Sequence, residues 1–164
     1  MNTVYLLTGG NIGDRLNNLH QCCGLLEKMV GSVAEKSSVY ETAAWGITNQ
    51  PSFLNQVLCI ESEFDAHAIL RTILSIEEKM GRKRVEKMGP RTIDIDILFY
   101  NAQTITLPDL VIPHPDFANR RFVLDPLNEI APLLVHPVLQ KTISELLNDC
   151  KDQLKVNLYR GDKA

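Results

Sequence analysis

The order strand, helix, strand, strand, helix, strand predicts a single α+β domain with a ferredoxin-like βαββαβ core. Three observations carry this expectation. Two stretches have apolar residues at helical spacing and end at a glycine, four stretches around them have strand-like composition, and 164 residues suit one domain. A hydrophobic fraction of 45% and a charged fraction of 23% belong to a globular chain, neither fibrous nor disordered.

Residues 3–8 read as the first strand. Residues 9–14, Gly-Gly-Asn-Ile-Gly-Asp, read as a structural turn into a helix over 15–29, whose face carries Leu16, Leu19, Cys22, Cys23, Leu26 and Met29. Residues 33–42 and 53–63 have strand composition. They are joined by an irregular stretch, 43–52, containing Trp45, Gly46 and Pro51, which is a candidate functional loop. Asp65 can cap a second helix with an apolar stripe of Ala66, Ile69, Leu70, Ile73, Ile76 and Met80, stopped by Gly81. A basic loop, 82–91, leads into the fourth strand, 92–100. Beyond Asn101, Pro108, Pro113, Pro126, Pro132 and Pro137 break the pattern into short elements. Thr142 and Glu145 form a capping box for a last helix through Leu147, and a polar tail follows from about residue 152.

The start of the chain has no signal-peptide character and no stretch approaches the roughly 20 apolar residues that span a bilayer, so a cytoplasmic protein without membrane attachment is expected. Cys22, Cys23, Cys59 and Cys150 lack metal-site spacing and are expected as reduced, mostly buried thiols. A net charge of −3 gives no general attraction to nucleic acid. A phosphate site, if present, must be local.

Asp94-Ile95-Asp96 is the most informative feature. Side chains alternate along a strand, so Ile93, Ile95, Ile97 and Phe99 are expected in the core, with Asp94 and Asp96 together on the other face, about 7 Å apart. Alone, such a pair is more often a solvated acidic face than a magnesium platform. The segment before it shifts the balance: Arg82, Lys83, Arg84, Lys87 and Arg91 stand against one acid, Glu86, as a clamp for phosphates would. Glu77 reads by position as an exposed helix residue. His114, held between Pro113 and Pro115, is a better phosphate contact than most histidines. Phe53, Asn55 and Phe122 suit either core packing or the sandwiching of a flat heterocycle. No Walker or Rossmann loop is present.

Together, the segment Lys87-Met88-Gly89-Pro90-Arg91-Thr92-Ile93-Asp94-Ile95-Asp96-Ile97-Leu98, the Gly9-to-Asp14 turn, Tyr40-Glu41-Thr42, Gln50-Pro51-Ser52-Phe53-Leu54-Asn55, Gly81-Arg82, Ile112-Pro113-His114-Pro115 and Asn119-Arg120-Arg121-Phe122 resemble 6-hydroxymethyl-7,8-dihydropterin pyrophosphokinases. The resemblance runs from Thr3 to about Ile143 and departs at Leu74, Met88 and Pro115. It implies an ATP-dependent diphosphotransferase of folate biosynthesis that acts on small molecules as a stand-alone monomer. Asp94 and Asp96 would hold two magnesium ions. Phe53 and Phe122 would cover the two faces of the pterin, with Asn55 and the backbone of Thr42, Ala43 and Trp45 at its edge. Arg82 and Arg91 would meet the transferred diphosphate, Arg84, His114 and Arg120 the ATP phosphates, and Glu77 the nucleoside. The rival readings are a nucleotidyltransferase, which transfers AMP, and a regulatory ligand-binding domain.

Overall fold

The computed structural model describes residues 1–43, 51–81 and 92–161. The elements run β1 (Asn2–Gly10), α1 (Arg15–Met29), β2 (Ser32–Lys36), β3 (Tyr40–Thr42), β4 (Phe53–Ser62), α2 (Ala66–Lys79) and β5 (Asp94–Tyr100). A hairpin of β6 (Ile105–Leu107) and β7 (Leu110–Ile112), a 3₁₀ turn (Phe117–Asn119), α3 (Arg121–Ile130), α4 (Ile143–Asp149) and β8 (Val156–Leu158) follow. The main sheet is antiparallel in the order β5-β1-β4-β3-β8, with β2 also paired to β4. This is the expected βαββαβ core, its second strand divided in two. Among the described residues, no helix is long and apolar enough to cross a membrane.

Local chemistry explains the boundaries. Asp14 accepts the N–H of Asn17 at 3.2 Å and Asp65 that of Ala68 at 2.8 Å, so each long helix starts at a carboxylate that takes an otherwise unsatisfied donor. Gly81 follows α2 with φ of 82°, a conformation glycine adopts without steric cost. The continuous strand expected over 33–42 is interrupted at Ser37. Its hydroxyl accepts the N–H of Val57 at 3.0 Å, and its carbonyl accepts the Gln56 side-chain amide at 2.7 Å. A side chain thus takes a backbone donor of β4, which separates β2 from β3.

The sheet has two unlike faces. Val4, Leu6, Leu58, Ile60, Ile93, Ile95 and Ile97 pack with Leu19, Leu26, Ile69, Ile73 and Ile76 of α1 and α2. On the other face, Leu7, Val57, Leu98 and Phe99 pack with Val123, Leu124 and Leu127 of α3 and Ile143 and Leu146 of α4. Phe99 therefore lies opposite to the side expected from simple alternation. The pairing of Tyr5 with Phe99 and of Leu6 with Ile97 skips Leu98, and this bulge turns Phe99 toward α3.

Two further expectations change. Pro126 lies inside α3 and does not mark a break, and the residues expected as a polar tail include β8, which pairs Val156 with Thr42 at the edge of the sheet. The capping box of Thr142 and Glu145 is present and starts α4. All four cysteines are free, Cys22 and Cys59 being buried.

Candidate active site

The face carrying Leu7 and Val57 is covered by α3 and α4 at one end only. Toward the other end the same alternation presents Gly9 on β1, Asn55 and Phe53 on β4, and Asp94 and Asp96 on β5. Gly9 is the cross-strand partner of both Asn55 and Asp94. Two inter-strand spacings put the backbones of Asn55 and Asp94 roughly 10 Å apart. A β-carbon at Gly9 would collide with the Asn55 Oδ1, so the floor between amide and carboxylate has to be bare backbone. Gly9 and Gly10 thus end a strand, correcting the expectation of a turn, and Gly9 is a site residue that composition alone does not reveal.

These residues line one cavity of about 730 Å³. At one end stand Thr42, Ala43, Phe53, Asn55 and Phe122. Phe122, on the first turn of α3, is brought opposite β4 by the packing of that helix. At the other end, Leu70 and Leu74 of α2 and Leu110 and Val111 of β7 line an apolar slot beside Glu77. Asp94, Asp96, His114 and Arg120 lie along the same cavity. Every described candidate therefore opens into one space. Trp45, Arg82, Arg84 and Arg91 lie outside the described residues.

Glu77 corrects the reading from position. It is 3% exposed, and its Oε2 accepts the backbone N–H of Ile95 at 2.8 Å. β5 is an edge strand, and this carboxylate takes a donor that no neighbouring strand accepts. The bond fastens α2 to the residue between Asp94 and Asp96.

His114 donates its backbone N–H to Leu98 at 3.2 Å, which holds the segment after β7 along β5. Its Nδ1 is 2.7 Å from the Pro115 carbonyl, a distance that assigns the ring hydrogen to Nδ1. Nε2 lies 3.7 Å from the Asp96 carboxylate. Burial lowers the imidazole pKa from its ordinary value; the Pro115 bond and Asp94 oppose that effect, and Arg120 adds to it. Donation from Nε2 to a phosphate would require the imidazolium, a form that an arriving polyanion favours.

Asp94 and Asp96 are half-buried and supply hard oxygen donors on one rigid strand. Among the described residues no group of three or more His, Cys, Asp or Glu is placed to hold a metal ion. An open pair of carboxylates suits magnesium, which retains water and takes its remaining oxygens from nucleotide phosphates.

The sequence matches the family of 7,8-dihydro-6-hydroxymethylpterin-pyrophosphokinases over residues 5–132. The chain belongs to this family. It is 41% identical over 145 residues to the 2-amino-4-hydroxy-6-hydroxymethyldihydropteridine pyrophosphokinase of Aquifex aeolicus, covering 88% of this chain and 90% of that protein. It is 42% identical over 145 residues to the protein of the same name from Synechocystis, covering 87% and 74%. Its fold matches the solved HPPK-DHPS of Plasmodium falciparum with a TM-score of 0.73 and 21% identity, over 91% of this chain. The chain spans 43% of the length of that structure.

Proposed function

We propose that this protein transfers the β,γ-diphosphate of ATP to the hydroxymethyl group of 6-hydroxymethyl-7,8-dihydropterin, releasing AMP, as a step of folate biosynthesis. The observation that carries the proposal is the shared cavity: a pair of aromatic rings with an amide at one end, two carboxylates beside it, and an apolar slot beyond. Membership of the pyrophosphokinase family supports the same reaction.

In this reading Phe53 and Phe122 stack on the two faces of the pterin, while Asn55 and the backbone of Thr42, Ala43 and Trp45 select its hydrogen-bonding edge. Leu70, Leu74 and Val111 receive the adenine, with Glu77 beneath them. Arg84, Arg120 and His114 hold the ATP phosphates, and Arg82 and Arg91 neutralise the transferred diphosphate. Asp94 and Asp96 hold two magnesium ions. When bound, the metal screens phosphate charge and lowers the pKa of a coordinated hydroxyl.

The hydroxymethyl oxygen forms the new bond to the β-phosphorus in line with the bond that breaks toward the α-phosphate, and the hydroxyl proton leaves to solvent. The protein's work is positioning and charge neutralisation. The chain acts as one domain over residues 1–164, as a cytoplasmic monomer on small molecules, without nucleic acid or membrane partners. Its net charge of −3 supports the exclusion of nucleic acid.

Incubating the protein with ATP, magnesium and the hydroxymethyl dihydropterin, then separating the products, tests the proposal. Equimolar AMP and pterin diphosphate are expected. ADP, pyrophosphate with an adenylated pterin, or no turnover would each overturn it.

A further inference from the structure

The residues matched to the family end at 132, yet a later segment, 152–159, makes three contacts that lead to the cavity's pterin end. α3 begins with Arg120 in the capping position, a residue that cannot accept a hydrogen bond through its side chain, and its first turn holds no acid. The missing acceptor comes from Asp152. Its Oδ2 accepts the Arg121 N–H at 3.0 Å, while its Oδ1 accepts the Leu154 N–H at 3.0 Å and fixes the carboxylate in place. A negative charge there also suits the positive end of the helix. Phe122 is the next residue.

The second contact is at Thr42, whose hydroxyl donates to the Lys155 carbonyl at 3.0 Å and whose backbone pairs with Val156. The third involves Tyr159, anchored by its N–H to the Val39 carbonyl at 2.9 Å. Its ring lies 5.6 Å from the guanidinium of Arg15, which donates at 2.8 Å to both the Glu41 carboxylate and the Ser52 carbonyl. Glu41 and Ser52 immediately precede Thr42 and Phe53. The first two contacts thus fall on Thr42 and on the neighbour of Phe122, and the third reaches the neighbours of Thr42 and Phe53 through Arg15.

We infer that the segment 152–159 sets the width of the pterin slot, with Asp152 and Tyr159 as positioning residues that hold Phe122 and Phe53 at their working separation. The inference rests on the assignment of Phe53 and Phe122 to the pterin. A simple edge strand would need only the β8 pairing. Here a carboxylate and a ring reach past that pairing to separate supports of the two aromatics.

The test compares Asp152→Ala, Asp152→Asn and Tyr159→Ala with Asn157→Ala, which trims an exposed side chain on β8 and leaves the backbone pairing with Glu41 in place. Dihydropterin dissociation constants and thermal unfolding are measured in the full chain. Asp152→Ala and Tyr159→Ala should weaken pterin binding about 3- to 10-fold, the scale of a lost helix cap. Asp152→Asn, which keeps one acceptor oxygen, should recover most of the loss, and Asn157→Ala should stay within about two-fold of the parent. Unchanged pterin affinity in a destabilised Tyr159→Ala or Asp152→Ala protein would overturn the inference, leaving the segment as a stabilising strand. Failure of the parent to bind pterin would instead overturn the functional reading itself.

Discussion

The Glu77 carboxylate and the Ile95 N–H meet at 2.8 Å inside the protein, so helix α2 is tied to β5 at the residue that separates the two candidate metal ligands. Glu77→Ala should lower stability by about 1–3 kcal/mol, the cost of leaving a buried donor unmade. Glu77→Gln, which can still accept, should lose less. Chemical denaturation of the two variants checks this, and an alanine variant as stable as the parent would return Glu77 to the class of ordinary helix residues.

Asp94→Asn and Asp96→Asn keep side-chain size and remove the charge a hard cation needs. Turnover should fall about 100-fold or more, the scale of losing a preorganised charge-stabilising group. In chelator, thermal stability should hold or rise, because two like charges on one strand face repel when no cation is bound. Near-normal turnover across a magnesium series would remove the metal assignment. A joint fall of stability and activity would make the pair structural.

Phe53→Ala and Phe122→Ala should weaken dihydropterin binding more than ATP binding. Stacking beyond simple burial is worth about 0.5–1.5 kcal/mol per ring, or roughly 2- to 12-fold. Calorimetric titration of each ligand reads the difference. Normal pterin affinity with a lower unfolding temperature would mean that the rings serve only the core.

Gly9→Ala should fold, since β1 needs no special backbone angle there, but the added methyl must push the Asn55 side chain aside. Pterin affinity should then drop about as far as in Asn55→Ala. Measuring both, and the double variant, is decisive: a double variant no worse than either single one indicates a shared mechanism, whereas additive losses indicate two independent effects.

His136 gives the fold a pH dependence. It is 6% exposed, stacks on Phe117 at 5.5 Å, and its Nδ1 accepts the N–H groups of Val138 and Leu139 at 3.2 and 3.1 Å. Burial lowers its pKa below the ordinary 6.5. The unfolded chain therefore binds the proton more readily, so this contribution to stability is full above about pH 6.5 and is lost as pH falls below it. Unfolding midpoints followed from pH 7.5 to 5 should decline more steeply in the parent than in His136→Asn, whose side-chain oxygen can accept the same N–H groups without titrating. Parallel curves would contradict the assignment.

The parts of the fold legible in sequence were those specified by nearby residues. Asp14 and Asp65 cap their helices from within, and Ile93, Ile95 and Ile97 announce one face of β5 by alternation. The parts that were not legible depend on partners far along the chain. α3 contains Pro126 and takes its cap from Asp152, so no local pattern marks it. Glu77 appears solvent-facing because its partner is a backbone N–H of an edge strand, and Gly9 appears to be a turn residue because what requires it is a side chain on β4. The cavity-lining aromatics Phe53 and Phe122 resemble core residues until the uncovered end of the sheet is seen.

The bulge at Leu98 has a consequence for how β5 can change over evolutionary time. An insertion or deletion of one residue between Asp94 and Ile97 would exchange the faces of carboxylates and isoleucines, destroying core and site together. At Leu98 the strand already carries one residue beyond its ladder, and with that residue removed Ile97, Phe99 and Tyr100 would still alternate between the two faces they now occupy. Length variation in this strand should therefore be tolerated at that single point, which lets the acidic end and the apolar end diverge without either dictating the frame of the other.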